Sequence, residues 1–292
     1  MKKILTPIVF ILLSMPFAIS QYSTPGTGIK WNLSDLVSNS AGAISFNGTF
    51  YSVSNDFTLS ASDTLEISQA AIVKFASVSL FTINGVLLTG PDTVKFTAVG
   101  NSNYEGVRFE NTPGSIVRNA IIEKSNGIKV ISSDMLFEGC VIRNNGKTYA
   151  SGAINPFQCS PVIRNCQFLN NDGPAVMTGA NAASSPQILY CYMFANNVSN
   201  ANTPQINLGA MGTDSIRIIG NTIAGQYNMA GGIAVSTLAG GNILCRIENN
   251  IIRNNRYGIA AIGNNIASII RYNIIENRSE ERRVGKECRS RW

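Results

Sequence analysis

The chain is 292 residues long, carries a formal charge of +6 and contains no histidine. Without histidine, Ser-His and Cys-His nucleophilic machinery and His-ligated metal sites are excluded. The positive charge does not point to nucleic acid or a membrane surface, because it sits at the ends: two lysines fall in residues 1–20, and six basic against three acidic residues fall in 278–292, leaving +1 for residues 21–277.

In chain order, residues 1–20 resemble a secretory signal peptide. Lys2 and Lys3 form a basic start, residues 4–17 an apolar stretch, and Ala18, Ile19 and Ser20 a small-residue cleavage region before Gln21. The apolar run is short and interrupted by proline, below the roughly 20 residues a bilayer span needs. No later segment is expected to cross a membrane. Residues 21–44 are read as a leader and cap, in which Trp31, Leu33 and Leu36 share one face of a short amphipathic segment. From residue 45 the pattern changes to short apolar alternations at 56–67, 72–75, 80–87 and 94–97, each predicting a strand with one buried face.

The middle and end of the chain repeat one phrase. A small residue recurs at Ala120, Cys140, Cys166, Cys191, Asn221, Asn250 and Asn273, in steps of 20, 26, 25, 30, 29 and 23 residues. Three residues earlier stand Val117, Phe137, Ile163, Ile188, Ile218, Ile247 and Ile270; two residues later stand Ile122, Ile142, Phe168, Met193, Ile223, Ile252 and Ile275. The later spacing of two is strand-like, whereas the earlier spacing of three needs a bend. Asn or Gly fills the intervening position in five copies (Asn119, Gly139, Asn165, Gly220, Asn249), and these residues tolerate a left-handed backbone. Tyr190 and Tyr272 are the exceptions. A second strand follows most copies, opened by Gly127, Gly152, Gly232 and Gly258. Units this small cannot bury their own apolar face, so the repeat predicts a solenoid whose coils stack about 4.8 Å apart.

On these residues the chain resembles right-handed parallel β-helices of the pectin-lyase-like superfamily, and the expected fold is an all-β solenoid over residues 45–277. The resemblance is specific for fold and not for activity, since that fold hosts many chemistries. The signal region and repeat style resemble exported Bacteroidetes proteins, implying a secreted or cell-surface location and a C-terminal sorting domain. Residues 278–292 break the repeat in mid-phrase and resemble a translated sequencing adapter. On that reading the frame is a fragment of a longer gene whose C-terminal coils, cap and sorting domain are missing.

Candidate chemistry is sparse. Cys140, Cys166 and Cys191 share one column, where parallel Cβ directions suit packed thiols better than disulfides; Cys159 and Cys245 stand outside it, and no metal-ligand spacing is present. Arg118, Glu138 and Arg164, Glu248 and Arg271, and Glu123 with Arg143 place opposite charges on successive coils, as do Arg253 and Glu276. That alternation predicts cross-strand ion pairs rather than a catalytic strip. The pairs Asn144–Asn145, Asn170–Asn171, Asn196–Asn197 and Asn254–Asn255 predict turns. One coil departs from its columns: Tyr192 and Phe194 alternate with inward Cys191 and Met193 and should point outward. Two such rings suit sugar stacking or a partner surface unless the loop 197–213 folds over them. Arg164 of the preceding coil is the cation expected beside them. The reading is therefore a monomeric, exported protein that binds polysaccharide or a cell-surface glycan through Tyr192, Phe194 and Arg164, without metal or cofactor. The alternatives are a lyase or glycoside hydrolase on acidic polysaccharide, with Ca²⁺ only in the lyase case, and a passive envelope stalk or adhesin.

Overall fold

The computed structural model describes residues 21–276; the expected signal peptide at 1–20 and the expected artefactual tail at 278–292 lie outside the described residues, as does Asn277. The chain winds as a right-handed parallel β-solenoid of about 9 turns. Three sheets of 10, 10 and 11 strands run along its length. Each coil visits them in the same order. Residues 154–169 show one full passage around a corner: Ile154–Phe157 lies in the first sheet, Val162–Arg164 in the second and Gln167–Leu169 in the third. The two residues on either side of the repeat's bend therefore belong to different sheets, giving three strands per coil. Every pairing is parallel except the hairpin of Ile44–Phe46 with Tyr51–Val53.

The repeat columns form the core. Val117, Phe137, Ile163, Ile188, Ile218, Ile247 and Ile270 are successive partners in the second sheet. Ile122, Ile142, Phe168, Met193, Ile223, Ile252 and Ile275 are partners in the third. All are buried except at the last described coil, where Ile270 and Ile275 are partly exposed. At the other end, Asn32 and Asp35 form a capping box that starts the helix Leu33–Asn39. Leu33 and Leu36 turn down onto Phe57, Leu65 and Val53, one residue from each sheet, so the helix lies across the open end of the core. Within the expected leader, Tyr22–Ser23 and Lys30–Trp31 already form rungs of the first and second sheets.

The corner between second and third sheets is a single left-handed residue. Its φ runs from +50° to +71° at Asn119, Gly139, Asn165, Tyr190, Gly220, Asn249 and Tyr272. The two tyrosines obey the corner despite a cost of about 1 kcal/mol for a non-glycine left-handed residue, because strands fixed on both sides dictate the backbone. Tyr190 also lies over Gly220, where a Cβ would come 2.5 Å from its Cδ1.

Side chains at the small column do one job with two chemistries. Cys140 donates its thiol to the Val117 carbonyl and Cys191 to that of Ile163. Asn221, Asn250 and Asn273 donate their amides to the carbonyls of Ile188, Ile218 and Ile247. Each acceptor is the residue three before the small position in the preceding coil. The five described cysteines are unbonded and buried. Burial pushes the Cys245 thiol up to about 11, and the flanking Cys140 and Cys191 thiols push Cys166 well above its ordinary value.

A second ladder uses the Asn pairs. Asn144, Asn170 and Asn254 take left-handed φ, while their neighbours Asn145, Asn171 and Asn255 are buried. Asn145 bonds Asn171, Asn171 bonds Asn196, and each amide also donates to a backbone carbonyl one coil below. The next coil offers no asparagine at this position. Gln205 fills the gap, accepting from Asn196 at 3.1 Å and donating to Asn255 at 2.9 Å.

Three carboxylates tie coils together. Asp63 accepts from the backbone N–H groups of Gly26, Gly28 and Ile29, all at 2.9 Å. Burial raises its pKa, but hydrogen bonds from Thr24, Ile29 and Gly26 outweigh that and hold it below the ordinary value. Burial likewise opposes ionisation of Glu123, and Lys95 and Arg143 prevail. Glu138 is lowered by Arg118 and Arg164. A folded pKa below the unfolded one gives stability that is complete above the unfolded carboxylate range, about pH 4, and is lost as pH falls through the folded values. Urea midpoints should therefore hold steady from pH 7 to 5 and decline below about pH 4; a midpoint flat to pH 3 would contradict these pairings.

Candidate glycan-contact site

The strand Tyr192–Phe194 sits in the third sheet with Met193 in the core and both aromatic rings outside. Its alternation follows from strand periodicity: Cys191 and Met193 fill the two inward columns, which leaves 192 and 194 to solvent. Tyr192 and Phe194 are 38% and 37% exposed. Their rings are nearly parallel, 9° apart, with centroids separated by 6.3 Å. Gln167 and Thr222 flank Tyr192 on the neighbouring strands, and Leu169 and Ala224 flank Phe194.

The segment 197–213 is not a loop lying over these rings. It contains Ile206–Leu208, the coil's rung in the first sheet. The turn before that rung is pinned at its own corner: Asn197 donates to the carbonyls of Ala201 and Thr203, and Ser199 to that of Asp172. The Gln205 side chain is drawn inward at its end, so the turn is committed to the core ladder.

Arg164 is placed differently from Tyr192 and Phe194. It ends the strand Val162–Arg164 in the second sheet, on the other side of the Asn165 corner. Its Nε lies 2.7 Å from Glu138 Oε1, while Glu138 Oε2 holds Arg118 at 2.7 Å. The structure thus brings Tyr192 and Phe194 together and stations Arg164 on the adjacent face. There it lines a groove of about 390 Å³ with Asp134, Ile116, Leu136 and Val162. Two more of the expected ion pairs form: Glu123 holds Arg143 at 2.8 Å and Lys95 at 2.7 Å, and Glu248 holds Arg271 at 2.9 Å; Arg253 and Glu276 are lateral partners without an ion pair between them.

A further constellation on the first sheet was not legible in the sequence. Arg108 and Lys129 are lateral partners on adjacent strands. Arg108 Nε donates to Glu110 at 2.8 Å, which raises the guanidinium pKa and lowers that of the carboxyl. Tyr149 arrives from the turn of a later coil and lies against Gly106, where a Cβ would stand 2.6 Å from its Cδ1. Lys129 Nζ sits 4.1 Å from the centre of the Tyr149 ring, and burial raises the phenol's pKa. The only sequence signal for this contact is the missing side chain at Gly106. Among the described residues, no three His, Cys, Asp or Glu side chains gather as a metal site, and no helix is long and apolar enough to cross a membrane.

A family model described as a right-handed β-helix region matches residues 43–204, just over half of the chain. No curated protein and no solved structure matches it.

Proposed function

The chain belongs to the right-handed β-helix family, and from that premise we propose that it is an exported protein that binds polysaccharide at a cell surface or outside the cell. One observation carries the reading: two outward, near-parallel aromatic rings on one strand, each more than a third exposed to solvent. Sugar rings present C–H faces that stack on aromatic faces, and rings held by a strand lose little freedom on binding. Flanking Gln167 and Thr222 offer hydrogen-bonding groups beside the platform. The expected result in affinity electrophoresis is retardation of the wild-type protein by at least one immobilised polysaccharide, weakened about tenfold or more in Tyr192→Ala, a loss of roughly 1.4 kcal/mol. Equal retardation of Tyr192→Ala and Phe194→Ala would remove this surface from the function. Export rests on residues 1–20; N-terminal sequencing of secreted protein should begin at Gln21.

The first-sheet cluster favours a second reading, an enzyme acting on acidic polysaccharide. Arg108 and Lys129 present adjacent positive charges, with the Glu110 carboxylate bonded to Arg108 and the Tyr149 ring against Lys129. Ultraviolet absorbance of an unsaturated product, abolished by Lys129→Ala, would select a lyase over a binding protein.

A further inference from the structure

The one-residue corner between second and third sheets holds from Asn119 onward, but the first full coil breaks it. There the strand Thr64–Ile67 ends and Ala71–Phe75 begins, leaving three residues at 68–70; the next coil leaves four, at 90–93, and the coils from Asn119 onward leave one. The widened corner faces the capping helix across a cleft of about 340 Å³, a volume in the range of small-ligand sites. Its floor is apolar, made by Leu33, Ile67 and Ala71. Its rim carries Ser34, Ser68, Gln69 and the Tyr51 phenol, and among the described residues none of these side chains makes a protein hydrogen bond. Phe46 packs on the Tyr51 ring with centroids 4.6 Å apart and sets its orientation.

We propose that this cleft is a separate carbohydrate site that takes an uncharged hexosyl or pentosyl unit. The proposal takes its ligand class from the polysaccharide-binding reading but uses none of that reading's residues. An apolar floor inside a ring of unpaired donors and acceptors matches a sugar ring, whose axial C–H face is apolar and whose edge is hydroxyl. The charges select against anionic sugars. Glu66 faces the cleft and its charge is matched by Lys30. A uronate entering here would meet the Glu66 carboxylate and no cation among the lining residues.

The test is calorimetry of the full chain with cellotetraose, xylotetraose and maltotetraose, and with tetragalacturonate as the acidic control. Binding of at least one neutral tetrasaccharide, weakened about tenfold in both Gln69→Ala and Ser68→Ala, is the expected result. Gln69 is exposed and outside the core, so its variant tests the cleft without testing the fold. If no neutral tetrasaccharide binds, or the cleft variants bind as wild type does, the cleft proposal is overturned. Retardation of wild type but not Tyr192→Ala on polysaccharide gels would then leave the Tyr192 platform standing. Loss of tetrasaccharide binding in Tyr192→Ala would also overturn the cleft, by assigning that ligand to the platform. Preference for tetragalacturonate would overturn the charge argument and the proposal with it.

Discussion

Asn171→Ala is expected to lower stability by about 3 kcal/mol, read as a shift of the urea midpoint at constant slope. Asn171 is fully buried and its carboxamide makes four hydrogen bonds. Its oxygen accepts from the backbone N–H and the side-chain amide of Asn145, at 3.1 and 3.0 Å. Its nitrogen donates to the Ile142 carbonyl at 2.9 Å and to Asn196 Oδ1 at 2.7 Å. Alanine leaves the Asn145 N–H and the Ile142 carbonyl buried without these partners. Each such orphan costs about 1–3 kcal/mol, far more than the net value of an ordinary hydrogen bond. The neighbouring rungs lose alignment as well, since polar chains in a low-dielectric interior reinforce one another. A loss below about 0.5 kcal/mol, the usual size for a surface substitution, would mean the ladder contributes little.

Phe168→Ala should cost more, about 4 kcal/mol, because it opens a void where the structure has least freedom to close it. Phe168 is fully buried between Ile142 and Met193, its partners one coil below and one above. Those neighbours are held at both strand ends, by the left-handed corners and by the asparagine ladder, so collapse into the space is restricted. Phe168→Leu keeps most of the volume and should cost under about 1.5 kcal/mol. Denaturation of the two variants side by side checks the argument: similar losses for both would show that the site relaxes.

Much of this architecture is written in the spacing of single residues. Ile columns at fixed offsets from a small residue specify which side chains share the core, and Asn or Gly at the corner specifies where the sheet changes. What escapes such a reading is whatever one coil supplies to another. Tyr190 and Tyr272 look like breaks in the corner column, yet flanking strands impose the same left-handed backbone on them. Gln205 is invisible as a ladder member because it reaches the axis from a different place in its coil. The candidate site divides the same way. The outward direction of Tyr192 and Phe194 follows from alternation within three residues. The station of Arg164 depends on which side of a corner it falls, and column spacing alone does not say. Tyr149 meets Lys129 and Gly106 only because a turn crosses between coils, and the wide corner at residues 68–70 shows itself only where it faces the helix.

The single-residue corner has a consequence for how this protein can change. Corners and ladders set the axis, and the steps between them range from 20 to 30 residues without disturbing any rung. Length is absorbed in the turns leading to and from the first sheet, which project away from the core. From Asn119 onward, insertion and deletion are thus confined to the two edges flanking the first sheet, while the second-to-third edge keeps its single residue. The protein is in effect a rigid spine with a rewritable margin, and new specificity can be grafted along that margin coil by coil at little cost to the fold.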